Sequence, residues 1–362
     1  MDPGSRNASR LPFGSRSDTR GSLDAEARQV LAGYPHAICS AGVTPLGNCG
    51  GFSGAHLWRV EAGAGSFCLR AVSGATWNVS RLRGLHRLLK HVSDAGVTVV
   101  SVPVAAESGA TVIELGGQLW QLEPWLPGVA DFDRHSTDER LTAVMVCLAR
   151  WHRAAERFEA TDSERPWFAK TAAALSPGVI ERRQRIREWS AARCDDVDRR
   201  LANLDWPDFR ALGQRLLQLF RVHADPVASE LEIARDIAVP LQPCLRDIWH
   251  DHVLFTDNAV TGLIDANACR SESVAADLAR LLGSLVADDR VRWRFAIDVY
   301  HSVRPLTLAE QGLIELLDRS AVLLNGLTWL EWICLDHRPF ADSDRPRIVN
   351  RLAGHVDRLG RW

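Results

Sequence analysis

The feature that most constrains this chain is one continuous stretch: Leu245-Arg246-Asp247-Ile248-Trp249-His250-Asp251-His252-Val253-Leu254-Phe255, the turn Thr256-Asp257-Asn258-Ala259, and Val260-Thr261-Gly262-Leu263-Ile264-Asp265. Two short apolar runs around an Asp-Asn turn predict a tight β-hairpin. A hairpin returns the chain to its start, so Asp247, His252 and Asp265 are expected to gather at its open end. Two carboxylates and an imidazole facing one cleft suit a base plus a divalent metal ion, the parts needed to move a phosphoryl group from a nucleotide to a hydroxyl.

On these residues the chain resembles the aminoglycoside phosphotransferase and choline kinase-like family, relatives of the protein kinases. The family pattern has a His-Gly-Asp loop, an Asn five residues after the Asp, and a second Asp ending the hairpin that follows. Asp247 matches the first Asp and Asp265 the second. Leu245 and Arg246 stand where the family has His and Gly, and His252 stands where it has the metal-binding Asn. Ala266-Asn267 follows where many relatives carry an aromatic residue and Gly.

The resemblance implies an α+β, two-lobed protein kinase-like fold with a small β-rich N-lobe and a larger, mainly helical C-lobe. It implies ATP as donor, with Asp247 accepting a hydrogen bond or proton from the hydroxyl of a small molecule and Asp265 binding Mg²⁺ that bridges the nucleotide phosphates. An imidazole at His252 should weaken a second Mg²⁺ or shift the preference toward Mn²⁺, because Mg²⁺ selects oxygen ligands. His252 could equally contact a phosphate or support the loop, and a role other than metal ligand is favoured. His250 and Asp251 are candidates for substrate contact or simple solvation.

Upstream, Asp24 is placed to cap a short helix ending near Ala32, and Gly47-Asn48-Cys49-Gly50-Gly51-Phe52-Ser53-Gly54 precedes a second hairpin, 57–60 and 66–72. Glycines there let the backbone approach phosphates and Ser53 adds a hydroxyl, although permissive turns have the same composition. Gly50, Gly51 and Ser53 are the candidate phosphate contacts. By the resemblance Arg70 stands where kinases keep a Lys for the nucleotide phosphates; a solvated strand arginine is the alternative. The following helix, about 78–95, contains no Glu to pair with it.

Strand-like runs at 97–103, 110–115 and 118–123 end in Pro124-Trp125-Leu126-Pro127-Gly128, a hinge stiffened by proline. The resemblance implies that backbone groups from Gln121 through Glu123 to Trp125 bind adenine, while the bulk of Trp125 suits a core aromatic equally well. The expected organisation is a disordered tail over 1–24, an N-lobe over 25–123, the hinge over 124–128 and a C-lobe over 129–362. In the C-lobe, His152 on a helix at 138–156 is expected to hold the catalytic loop by a hydrogen bond. Asp277, near the start of a helix at 273–285, is explained by the helix dipole without chemistry. The segment 181–200 reads as one solvated amphipathic helix. A helix at 320–335 carries Trp329, Glu331 and Trp332, a pattern that could suit an amine-bearing substrate but is more often core packing.

A net charge of -2 gives no reason to expect nucleic acid as a partner. No apolar run is long enough for a membrane span, and eight scattered cysteines without Cys-x-x-Cys spacing suit reduced thiols in a cytoplasmic protein. The sequence leaves the oligomeric state open. Three functions remain: an ATP-dependent small-molecule kinase, a nucleotide-binding pseudokinase or regulatory module, and a metal-dependent hydrolase using Asp247, His250, Asp251, His252 and Asp265. Retention of both Asp247 and Asp265 favours the first, because a scaffold needs no pair of carboxylates near its phosphates.

Overall fold

The structure, a computed structural model, describes residues 16–39, 42–47 and 54–362. The chain divides into two compact units: Met1–His86 with Ser101–Trp125, and Arg87–Val100 with Leu126–Trp362.

The first unit is built on an antiparallel sheet of β1 (Gly42–Gly47), β2 (His56–Ala62), β3 (Gly65–Ser73), β4 (Ile113–Leu115) and β5 (Gln118–Pro124), in the order β1-β2-β3-β5-β4. Period-two alternation gives the sheet two apolar faces. Phe67, Leu69 and Ala71 join Trp58, Val60, Trp120 and Leu122 on one side, whereas Val72 meets Leu82, Val112 and Leu119 on the other. Helix α1 (Arg16–Leu31) covers the first face with Ala27, Val30 and Leu31. This helix starts well before Ala25, so part of the stretch expected to be a disordered tail is helical. Asp24 is therefore not a cap: inside the helix its Oδ1 accepts the Trp58 indole N–H at 2.7 Å, and that indole stacks on Trp120 with centroids 5.2 Å apart. Helix α2 (Val79–Asp94) supplies Leu82 to the second face. The run 97–103 forms no named strand; Val100 makes one parallel bridge to Leu263, and Pro103 brings no amide donor to a ladder.

The second unit is mainly helical. Its α3 (Asp138–Ala155) opens on Thr137, whose side chain accepts the Arg140 amide. The segment expected to be one solvated helix is instead α4 (Pro177–Glu188) and α5 (Ala191–Ala202), parted where Trp189 is buried and Ser190 caps the second helix. Three antiparallel strands form a second sheet in the order β10-β7-β6: β6 (Thr171–Leu175) precedes α4, whereas β7 (Ala238–Cys244) and β10 (Arg270–Glu272) follow α6 (Pro207–Ala234). The hairpin β8 (Val253–Thr256) and β9 (Ala259–Leu263) lies in sequence between β7 and β10. The remaining long helices are α7 (Val274–Leu285), α8 (Arg290–Val303), α9 (Leu308–Asn325) and α10 (Arg345–Leu359). The helix expected at 320–335 thus begins at Leu308 on a Thr307/Glu310 capping box, breaks at Gly326 and ends in a π-helical turn, Glu331–Leu335. Among the described residues no helix is long and apolar enough to cross a membrane.

Candidate active site

The predicted hairpin is present, with Val253 opposite Leu263 and Thr256 opposite Ala259. Asp257 takes φ of 52° in its turn, a left-handed conformation that Asp tolerates better than most residues. Pairing continues past the strands, where the Ile264 amide donates to the His252 carbonyl at 3.0 Å. That bond brings His252 Nε2 to 3.9 Å from Asp265 Oδ2. Asp247 joins them through its backbone, whose carbonyl accepts from His252 Nδ1 at 2.8 Å. The three residues expected at the open end are together.

His252 has both ring nitrogens engaged. The Trp249 indole N–H donates to Nε2 at 2.9 Å, so the ring proton sits on Nδ1 and is given to the Asp247 carbonyl. In this arrangement the imidazole is neutral and braces the loop. Its Nε2 lone pair faces an indole donor, so coordinating a metal there would require Trp249 to move.

The backbone around Asp247 is tightly turned, with the Asp247 amide donating to the Leu245 carbonyl at 2.8 Å. Arg246, where the family pattern has Gly, sits at φ of 63°, a region that costs a side-chain-bearing residue about 1–2 kcal/mol. Its guanidinium is anchored by Glu181 and lies 3.8 Å from the buried Glu272. Burial pushes the Glu272 carboxyl up, opposed by bonds from Ser273 and Ser176 and by the charges of Arg246 and Arg182.

Asp277 does more than complement a helix dipole. It is fully buried, and its carboxylate accepts the Leu245 amide at 2.7 Å and the Arg246 amide at 2.6 Å. His152 completes the support with Nε2 at 3.0 Å from Asp277 and Nδ1 at 2.7 Å from the Tyr300 hydroxyl. Burial pushes the His152 ring below its ordinary value, although Asp277 acts the other way. His152 thus holds the loop as expected, but through Asp277. Cys244 lies within 4.8 Å of this pair, the donor types of a metal site. Both His152 nitrogens are already committed, which makes the cluster a structural one.

At the loop, the Asp247 side chain is 50% exposed and that of Asp265 26%. Asp247 Oδ1 accepts from Arg280 Nη2 at 3.1 Å, and Asp265 Oδ1 accepts from Asn267 Nδ2 at 2.9 Å. Asp265 is itself left-handed, φ 59° and ψ 51°, which turns the chain sharply out of β9. A partly exposed carboxylate offers the hard oxygen donors that Mg²⁺ takes, so Asp265 fits a divalent cation.

In the first unit Arg70 is buried on β3, and its Nε lies 3.4 Å from Glu123 Oε1 on β5. The carboxylate partner missing from helix α2 therefore comes from the neighbouring strand. Gln121 also donates through Nε2 to Glu123 and accepts through Oε1 from His86 Nε2 at 2.8 Å, while His86 Nδ1 lies 2.9 Å from the Thr111 hydroxyl. The sequence offers a period-two Gln-x-Glu on the strand but does not say which residue faces Arg70. Trp125 is not a core aromatic: it is 41% exposed, with the Arg59 guanidinium 4.5 Å from its ring and its amide donating to the Ser66 carbonyl. Gly50, Gly51 and Ser53 lie outside the described residues.

A family model described as the phosphotransferase enzyme family matches residues 47–309. The chain belongs to the phosphotransferase enzyme family. Homoserine kinase of Chelativorans sp. (strain BNC1) is 27% identical over 275 residues, covering 74% of this chain and 75% of its own length. Homoserine kinase of Janthinobacterium sp. (strain Marseille) is 23% identical over 281 residues, covering 75% and 74%. A spectinomycin phosphotransferase solved with ADP and spectinomycin has a TM-score of 0.67 at 11% identity, covering 93% of this chain and 97% of its own. An amicoumacin kinase solved with AMP-PNP and Ca²⁺ has a TM-score of 0.60 at 12% identity, covering 95% and 96%. The two-lobed kinase-like fold is shared with these structures. This phosphotransferase is an ATP-dependent kinase of a small-molecule hydroxyl.

Proposed function

We propose that Asp247 is the base of this phosphotransferase, that Asp265 holds Mg²⁺, and that the acceptor is a short alcohol of the homoserine class. The observation that carries this reading is the meeting of Asp247, His252 and Asp265 at the open end of one hairpin. Asp247 accepts the hydroxyl proton as the oxygen becomes a nucleophile, while the bond from His252 to its carbonyl fixes where the carboxylate starts from. Asp265 would hold a divalent cation, which when bound would supply charge neutralisation for the nucleotide phosphates. His252 is a brace in this scheme, not a ligand, so activity with Mg²⁺ should match or exceed that with Mn²⁺.

In the first unit, Arg70 and the glycine-rich run 47–54 are assigned to the nucleotide phosphates, with Glu123 fixing the Arg70 guanidinium. The stretch from Gln121 to Trp125 is assigned to adenine through its backbone. The experiment is ATP-dependent phosphorylation of L-homoserine followed by ADP release, with Mg²⁺ and with Mn²⁺ in parallel. Release that requires ATP and either cation supports the assignment. No thermal stabilisation by ATP with either metal would remove it.

A further inference from the structure

Around Asp247 the structure gathers more positive charge than the chemistry of the base alone calls for. The guanidinium carbons of Arg280 and Arg351 lie 5.7 and 4.8 Å from the centroid of the Trp249 ring. The indole is tied by its N–H to His252, so this platform is fixed to the loop that carries Asp247. Stacking holds a guanidinium in plane and leaves its N–H edge to meet a carboxylate. Arg280 Nη2 meets Asp247 Oδ1 at 3.1 Å, and Arg351 Nη2 meets Asp251 Oδ2 at 3.3 Å. Both arginine side chains remain partly exposed, at 29% and 27%.

Burial and then the charges of Arg347 and Arg280 push the Arg351 guanidinium below its ordinary value, with Asp251 and Asp247 acting the other way. Two guanidinium groups, of Arg280 and Arg351, therefore pair with the carboxylates of Asp247 and Asp251. The neighbouring His355 adds no charge near neutral pH, because burial and then Arg280, Arg351 and Arg358 push its ring down to about 4. His250 faces Asp251, with Nε2 3.2 Å from its Oδ1.

The pairing of Arg280 with Asp247 has a chemical consequence. Arg280 occupies an acceptor site on the Asp247 carboxylate that an incoming hydroxyl would otherwise use. An incoming carboxylate can take over the arginine like for like, since planar bidentate pairing is what a guanidinium offers.

We propose that Arg280 and Arg351 bind a carboxylate of the acceptor alcohol, so that the preferred substrate is a short hydroxy acid or hydroxy amino acid whose carboxylate draws Arg280 off Asp247. The proposal rests on the assignment of Asp247 as base. The helix at 320–335, whose pattern could suit an amine-bearing substrate but is more often core packing, offers no free acidic group for an amine. Glu331 there already accepts from Arg185 at 2.6 Å, from the Trp189 indole at 3.0 Å and from Arg193 at 3.0 Å, and Trp329 is buried edge-on against Trp332.

The test compares three alcohols on the full chain: 4-hydroxybutyrate, with a carboxylate and no amine; 3-aminopropan-1-ol, with the reverse; and propane-1,3-diol, with neither. Binding is measured by calorimetry and turnover by ADP release from ATP and Mg²⁺. The hydroxy acid should bind about tenfold more tightly than the other two, a difference of about 1.4 kcal/mol. Arg351→Gln should erase that preference, raising KM for the hydroxy acid about tenfold while leaving KM for ATP unchanged, and Arg351→Lys should restore part of it. Equal or tighter binding of the amine or the diol by the unmodified chain overturns the proposal, as does a preference that survives in a folded Arg351→Gln, or an absence of binding by all three. ADP release without carboxylate preference would discard this inference and keep the phosphotransferase assignment. Carboxylate preference in binding without ADP release would keep the arginine site and discard Asp247 as the base.

Discussion

Asp277 and His152 lie buried side by side, Oδ2 to Nε2 at 3.0 Å, and from that position Asp277 receives the two backbone N–H groups that lead into Asp247. Asp247, the proposed base, is therefore positioned from beneath, through the main chain. Replacing Asp277 by Asn presents a donor to two buried donors, which costs roughly 2–4 kcal/mol in stability and frees the loop. Urea denaturation should read that loss. Steady-state kinetics should show kcat falling about a hundredfold with little change in KM for ATP, and wild-type kcat in a folded Asp277→Asn would refute the positioning role.

Arg246 sets backbone strain against charge. Substituting Gly removes a left-handed penalty of about 1–2 kcal/mol but also takes a cation from beside the buried Glu272. Taking away one of the two cations beside a buried carboxylate is the larger effect, so Arg246→Gly is expected to lower stability by about 1 kcal/mol. A gain in stability by denaturant titration would show that strain dominates.

The carboxylate beside Arg70 comes from β5, so Glu123→Ala should weaken the nucleotide site alone. AMP-PNP titration by calorimetry should give an affinity about tenfold lower, with KM for the acceptor unchanged. An unchanged nucleotide affinity would detach this pair from ATP binding.

Burial lowers the His86 ring from 6.5 to about 4, with its bond to Gln121 acting the other way. Because the folded value lies below the unfolded one, the unfolded chain takes up the proton first as pH falls. Stability is full above about pH 6.5 and declines toward pH 4, by about 2 kcal/mol at pH 5 from this group alone. Urea midpoints at about pH 7.5 and pH 5 check the direction, and His86→Gln should flatten the dependence.

Much of the site was legible in the sequence because it is local. Asp247, His252 and Asp265 fall within one hairpin, and turn chemistry plus strand period bring them together without any knowledge of the rest. The parts that were not legible depend on long-range packing. A carboxylate in the first turn of a helix reads as a dipole partner until Leu245 and Arg246 are seen to point their amides at Asp277. The Arg70 partner depends on the register of β3 against β5, where Cys68 faces Glu123 and Arg70 faces Gln121. Helix α1 was underestimated for a similar reason: the bond from Trp58 to Asp24 joins residues 34 apart, and a Ser-, Arg- and Gly-rich sequence gives no local hint of it. In the arginine-rich segment 181–200, charge suggested solvation, yet Arg185 and Arg193 converge on Glu331.

The central claim is that Asp247 takes the proton from an acceptor hydroxyl in ATP-dependent phosphoryl transfer. It is tested most directly by comparing the wild-type chain with Asp247→Asn in a single assay of phosphate transfer from ATP to L-homoserine and 4-hydroxybutyrate. The account predicts a kcat lower by about a thousandfold in the variant, with AMP-PNP affinity and melting temperature unchanged. Transfer by Asp247→Asn at the wild-type rate would contradict it.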